Sequence, residues 1–248
     1  MENIQKAAEL LQTANGIVVL TGAGASTESG IPDFRSSDGL YHQPQKYGYP
    51  AEVLLSHSFF ILHTDTFYDY YFNNLVYKDA KPNDCHKALA EMEKLCRVRA
   101  VITQNIDGLH QEAGSTNVIE LHGSTKHYYC MACRKQYSLD DLEQTGVPKC
   151  GQCGGTIKPD VVLYEEPLNE KDLMKAVTVT ADADVLLVIG TSLAVYPAAG
   201  LLNYYRGNKL IIVNMSPTPY DGRARILIRD KAGKTMNSIL SILKNMSD

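Results

Sequence analysis

Short apolar runs, each closing on polar or glycine-rich sequence, punctuate this chain. Ile17 to Leu20, Val98 to Ile102 (broken only by Arg99), Val185 to Ile189 and Leu210 to Val213 are rich in β-branched residues and too short for helices. That is the pattern of parallel strands buried on both faces. Between them apolar residues recur at helical spacing, first at Ile4, Ala7, Ala8 and Leu11, which predicts a helix ahead of the opening strand. The alternation predicts an open α/β sheet, and ligands on such sheets bind beyond the carboxyl ends of the strands. The residues after each run are therefore the ones to watch: Thr21 to Ser26, Thr103 to Asp107, Gly190 to Ser192, and Asn214. Two segments interrupt the pattern. Ser36 to Tyr77 is rich in Tyr, His and Phe and reads as loop plus helices, suited to a lid or a substrate wall, and Lys126 to Ile157 carries four cysteines.

A length of 248 residues with 44% apolar and 21% charged side chains allows one large domain, or one large and one small. The net charge of -4, with Lys and Arg scattered, gives no global field for nucleic acid or an anionic membrane. The basic positions from Arg223 to Lys234 are interrupted by Asp230 and read as a solvated surface. The opening Met-Glu-Asn-Ile-Gln has neither a basic nor an apolar leader region, and no apolar run approaches the roughly 18 residues that span a bilayer. The expectation is a cytoplasmic protein with no membrane partner.

The first strand runs into Thr21-Gly22-Ala23-Gly24-Ala25-Ser26, where missing side chains let the backbone turn sharply and bring N–H groups against a diphosphate. Pro32, Asp33, Phe34 and Arg35 then add a rigid turn, an aromatic lid and an anion partner. Thr27 stands where a dinucleotide fingerprint would have its third glycine, and no ribose-binding acid follows about 20 residues on. A purely structural turn therefore remains the alternative.

Cys130-x2-Cys133 and Cys150-x2-Cys153, sixteen residues apart, have the spacing of a four-thiolate zinc ribbon. Four thiolates close the coordination sphere, so the expected Zn2+ is structural, and metal-assisted hydrolysis is a poor reading. Cys85 and Cys96 read as ordinary buried thiols.

Gln104, Asn105 and Asp107 follow the second run, where their amides and carboxylate can bind a sugar or the carboxamide of nicotinamide. Asp107 could equally cap the next helix. Val118 to Leu121 leads into His122 and Gly123; His122 is the best-placed general base, with Gly123 leaving room for a ligand, and His110 is its competitor.

Together these segments resemble the sirtuin family of NAD-dependent protein deacylases over nearly the whole chain. The match rests on Gly-Ala-Gly-x-Ser at 22–26, Gly-Ile-Pro-Asp-Phe-Arg at 30–35, Thr-Gln-Asn-Ile-Asp at 103–107, Leu-His-Gly at 121–123, the four cysteines, and Gly-Thr-Ser-Leu at 190–193, in the family's order. The resemblance implies a Rossmann-like parallel sheet with helices on both faces, formed by 1–35, 78–125 and 158–248. A small domain would combine a helical insertion, 36–77, with a four-cysteine zinc ribbon, 126–157. It implies transfer of an acetyl group from lysine of a protein or peptide to ADP-ribose, with release of nicotinamide and NAD as co-substrate. His122 would be the base, and Asn105 and Gln104 would orient the ribose. Gly22, Ala23, Gly24 and Ser26 would hold the diphosphate, with Arg35 complementing it. Ile106 and Asp107 would hold nicotinamide, and Phe34 would shield the reacting centre. Gly190, Thr191, Ser192 and Asn214 would serve the remaining cofactor half, and Val161, Val162, Leu163 and Tyr164 would pair with the peptide.

Departures from the family pattern bear on the substrate. Glu165 replaces a glycine beside the peptide groove and is expected to favour basic flanking residues. Tyr71-Phe72-Asn73-Asn74 lacks the arginine with which acidic-acyl members hold a distal carboxylate, which implies neutral acyl groups, acetyl first. Mono-ADP-ribosyl transfer and removal of a longer neutral acyl group are the enzymatic alternatives, and an NAD sensor is the binding-module alternative. The cysteine segment carries Lys126, Arg134, Lys135, Lys149 and Lys158 with Tyr128, Tyr129 and Tyr137. That composition is ordinary for a small exposed domain, and no direct nucleic-acid binding is expected.

Overall fold

The computed structural model describes residues 2–34, 39–40 and 47–247. Arg35, assigned to the glycine loop by its motif, lies outside the described residues.

Helix α1 (Glu2–Gln12) buries Ala7, Ala8 and Leu11, as its spacing requires. Strand β1 (Ile17–Thr21) follows, and after the glycine loop come α2 (Ala51–Leu54), α3 (His57–Leu62), α4 (Thr64–Asn74) and α5 (Asp84–Leu95). The chain continues through β2 (Val98–Thr103), α6 (Leu109–Glu112), β3 (Val118–Glu120), β4 (Gly123–Cys130), β5 (Gln136–Ser138) and β6 (Ile157–Val161). It ends with α7 (Glu170–Ala181), β7 (Val185–Ile189), β8 (Lys209–Val213), β9 (Ile226–Ile228) and α8 (Ala232–Ser247).

Six strands form one parallel sheet in the order β3-β2-β1-β7-β8-β9. Along β1, Ile17 and Val19 enter one core with α1, α5 and α8, while Val18 and Leu20 enter a second core with α7. Period-two alternation thus buries every residue of the strand, each such apolar side chain contributing roughly 1.5–3 kcal/mol. The expected α/β sheet with helices on both faces is what forms. Strand order reverses between β1 and β7, which pair from Ile17↔Val185 to Thr21↔Ile189 and end level. That reversal is the topological switch point where open sheets leave a crevice.

A second sheet, β5-β4-β6, is antiparallel and carries the cysteines. Phe60, Phe67, Tyr68 and Tyr71 from α3 and α4 bury against Tyr128, Cys130 and Ile157 of this sheet, so the aromatic segment and the cysteine segment share one core. The Tyr68 hydroxyl donates to the Ile157 carbonyl, and the Tyr71 and Tyr128 hydroxyls lie 3.3 Å apart. Gly123 joins the sheets. It adopts φ +74°, and a Cβ there would lie 1.9 Å from the Asp160 carbonyl oxygen. The space expected for a ligand is filled by β6; the glycine serves strand pairing beside His122.

Candidate active site

A crevice of about 890 Å³ opens beyond the carboxyl ends of β1, β2, β7 and β8, within the size range of cofactor sites. Gly22 and Gly24 close its floor against Gly190. The Gly22 N–H donates to the Ile189 carbonyl (3.1 Å) and the Gly24 N–H to the Gly190 carbonyl (2.8 Å). A Cβ on Gly24 would stand 2.8 Å from the Gly190 Cα, and one on Gly190, at φ +61°, 2.4 Å from the Ala25 nitrogen. The Ala25 and Ser26 N–H groups close the turn onto the Gly22 and Ala23 carbonyls. Much of the loop's hydrogen bonding is therefore internal, and the glycines are required first by backbone approach across the switch point.

Ser26 lines the crevice and is hydrogen-bonded to the site's own side chains. Its buried hydroxyl donates to Asp107 Oδ2 (2.7 Å) and accepts from Asn105 Nδ2 (3.0 Å), so it organises the site's polar side chains. Asn105 Nδ2 donates in addition to the Gly22 carbonyl (3.1 Å). Because a carbonyl only accepts, this fixes the amide orientation and leaves Asn105 Oδ1 for a ligand. Asp107 accepts from the Leu109 N–H (2.9 Å) as well as from Ser26, combining the capping role with a place on the crevice wall. Gln104 Nε2 donates to Thr191 Oγ1 (3.0 Å), tying the end of β2 to the end of β7.

His122 lies on the same wall, its Nδ1 2.8 Å from the Gln104 carbonyl oxygen. A carbonyl partner requires Nδ1–H, so Nε2 carries the lone pair. Burial lowers the pKa of His122, opposed by the bond to Gln104. His110 does not reach the crevice: it is buried, its Nε2 is 3.0 Å from Thr21 Oγ1, and its Nδ1 has no partner among the described residues. Burial, and then the neighbouring His86, push its pKa down to about 3.

Phe34, Ile106, Ser192 and Asn214 line the crevice. The peptide-pairing segment is more occupied than expected. The Val162 N–H donates to the His122 carbonyl, Leu163 N–H to Glu166 Oε2, and Tyr164 N–H to the Leu55 carbonyl, while the Tyr164 carbonyl accepts from His57 N–H. Glu165 turns its carboxylate onto Ser58, so its charge is held at α3 and is not free in the groove. Tyr71 is buried in the aromatic core, whereas the neutral Asn74 faces the crevice.

The four predicted cysteines converge, their sulfurs all within 4.8 Å of one another. The Sγ atoms of Cys130 and Cys153 are 3.5 Å apart and those of Cys133 and Cys150 3.6 Å.

Comparison with known proteins agrees with this geometry. The Sir2 family model matches residues 22–197. The chain belongs to the Sir2 family. An NAD-dependent protein deacetylase of Clostridium tetani is 52% identical over 245 residues, covering 98% of this chain and 99% of that protein. One of Clostridium acetobutylicum is 48% identical, covering 97% and 99%. Among solved structures, a Sir2 homologue in complex with NAD superposes with a TM-score of 0.87 at 35% identity, covering 98% of this chain and 95% of that one. A Sir2 enzyme with a p53 peptide and NAD+ gives 0.83 at 37% identity, covering 96% and 97%.

The Sir2 crevice fits NAD by its backbone-lined floor, and the cysteine cluster fits zinc: thiolates about 2.3 Å from one ion stand roughly 3.8 Å apart in a tetrahedron. The remaining cysteines are ordinary thiols, Cys85 fully buried with its pKa raised by desolvation. Sequence reasoning missed several crevice residues, among them a group after the last strand. Asp230, Lys231 and Ala232 border the Sir2 crevice although their segment reads as solvated surface. They follow β9, and three residues, Ile226–Ile228, are too short to register as a buried strand. Had that strand been read, the carboxyl-end rule would have found them.

Proposed function

We propose that this Sir2 protein removes acyl groups, acetyl first, from lysine side chains of proteins or peptides, transferring them to ADP-ribose with release of nicotinamide. The observation that carries the reading is His122 on the crevice wall that Asn105 and Asp107 share, with Nδ1 against the Gln104 carbonyl, which leaves the lone pair to Nε2. NAD, when bound, supplies the electrophilic ribose carbon and the hydroxyl that receives the acyl group. His122 accepts the proton of that hydroxyl at Nε2, and the Gln104 carbonyl stabilises the resulting imidazolium through Nδ1–H. Asn105 Oδ1 orients the ribose, its amide locked by Gly22 and Ser26. Ile106 and Asp107 hold nicotinamide, Gly22, Ala23 and Gly24 face the diphosphate, and Ser192 and Asn214 serve the adenosine half. Phe34 shields the reacting centre from bulk water; the net transfer consumes a single water, which balances cleavage of the lysine amide and of the ribose–nicotinamide bond. Cys130, Cys133, Cys150 and Cys153 hold a structural Zn2+ that shapes the β4–β6 wall. We take the helical insertion and the ribbon as one small domain, a division their shared core supports. No helix of the described residues is long and apolar enough to cross a membrane. We place the protein in the cytoplasm, where thiols stay reduced for zinc, and infer no nucleic-acid partner from its net charge of -4.

Asn74 in the crevice favours neutral acyl groups over acidic ones. The apolar lining from Leu55, Leu75, Ile106 and Leu163 supports a second reading, removal of longer neutral acyl groups. Mass spectrometry of acetyl-, succinyl- and longer-acyl-lysine peptides, with and without NAD, tests both. Acetyl loss matched by acetylated ADP-ribose supports the proposal. Modified protein in place of that product would identify ADP-ribosyl transfer, and comparable succinyl turnover would overturn the acyl assignment.

A further inference from the structure

Glu165 occupies a backbone conformation that side chains disfavour, and its side chain explains how. Its φ is +75°, in the left-handed region natural to glycine. The carboxylate Oε2 accepts from both the Ser58 N–H (2.9 Å) and the Ser58 hydroxyl (2.5 Å). Ser58 lies in the first turn of α3, whose free N–H groups need acceptors. One residue earlier, Tyr164 is bridged in parallel to Ser56 through the Leu55 carbonyl and the His57 N–H. One residue later, Glu166 accepts from the Leu163 N–H and from buried Lys158, and reaches His57 Nδ1 at 2.8 Å. Three consecutive residues after β6 are thus fastened to the helical segment or to β6 itself. Among the described residues, the backbone groups from Val162 to Glu166 without a protein partner are the Val162 carbonyl, the N–H and carbonyl of Glu165 and the Glu166 carbonyl.

We propose that Glu165 is a positioning residue for the peptide substrate: its carboxylate clasps Ser58 and so holds the free backbone groups of Val162 and Glu165 in place for the peptide. The inference rests on the deacylase reading. A glycine here would adopt the same φ more easily but would remove the side-chain tie between this segment and Ser58, leaving the ties through His57 and raising the entropy lost when a peptide is paired. The clasp acts through acceptor geometry, so Gln, which keeps an acceptor oxygen, substitutes for Glu.

Steady-state kinetics with an acetyl-lysine peptide and NAD test this on Glu165→Gly, Glu165→Gln, Ser58→Ala and the Glu165→Gly/Ser58→Ala double variant. Loss of the two bonds in Glu165→Gly raises peptide KM roughly tenfold with the KM for NAD unchanged. Ser58→Ala gives a smaller rise, the double variant is no worse than Glu165→Gly, and Glu165→Gln stays within about twofold of wild type. An unchanged peptide KM in Glu165→Gly, or Glu165→Gln as impaired as the glycine variant, overturns the proposal. The second result would assign the effect to charge in the groove. Hydrogen exchange at the Tyr164 and His57 amides reads the clasp without turnover. Faster exchange in Glu165→Gly but not Glu165→Gln supports it even if wild type fails to deacetylate, and unchanged exchange removes it.

Discussion

At the scale of single residues, a shared hydrogen-bond chain decides which groups can react. Asn105, Ser26 and Asp107 determine one another's donors, and the Gln104 carbonyl fixes the His122 tautomer. His122→Ala is expected to lower kcat by roughly 10²-fold or more in a product assay, with peptide binding retained in calorimetry. Because burial lowers the His122 pKa, the imidazole stays unprotonated as pH falls to its ordinary value of about 6.5. The acidic limb of kcat/KM should therefore lie below that pH; a limb centred above it would reject His122 as the base. Ser26 was legible as a site residue from its motif, but its use was not. Whether a hydroxyl meets a ligand or its neighbours depends on side chains 79 and 81 positions away.

At the scale of elements, two junctions carry the architecture. The first is the approach of the glycine loop to the end of β7. Gly24→Ala would press a Cβ on backbone atoms of Gly190, an overlap worth about 1–3 kcal/mol in comparable overpacking. A lower unfolding midpoint with a raised KM for NAD is the expected pair of results, measured by thermal melts and kinetics. The second is the cysteine ribbon, whose β5 and β6 flank β4; Cys130 and Cys150 border the aromatic core, but residues 131–136 and 151–154 are exposed. Binding zinc can contribute roughly 10–16 kcal/mol of apparent free energy to such a segment. Chelation or Cys150→Ser should make residues 131–155 protease-sensitive and abolish peptide turnover while the parallel sheet persists. Persistence of the protease-resistant ribbon without metal would contradict this.

At the scale of the whole molecule, buried histidine couples stability to pH. His110 is neutral in the folded protein down to about pH 3, whereas in the unfolded chain it protonates below about 6.5. Between those values the unfolded state binds one more proton, so its contribution is present above pH 6.5 and is lost as pH falls, by up to about 1.4 kcal/mol per unit. Urea midpoints at pH 7 and pH 5 should show this decline, and His110→Phe should flatten it while lowering stability at both. An equal slope in the variant would assign the dependence elsewhere.

Periodicity and motif spacing by themselves determined the parallel sheet, the first helix, the convergence of the four cysteines and the crevice residues from Gly22 to Asn214. These are properties of local pattern: strand burial is written in consecutive residues, and a metal site of this kind needs only two paired turns. The tertiary structure alone decided that Gly123 serves β6, that Ser26 orders Asn105 and Asp107, that β9 brings Asp230 and Lys231 to the crevice, and that Glu165 is clasped to Ser58. Each depends on a partner brought close by the fold, and a side chain's hydrogen bonds are set by the donors and acceptors that packing places within about 3 Å of it.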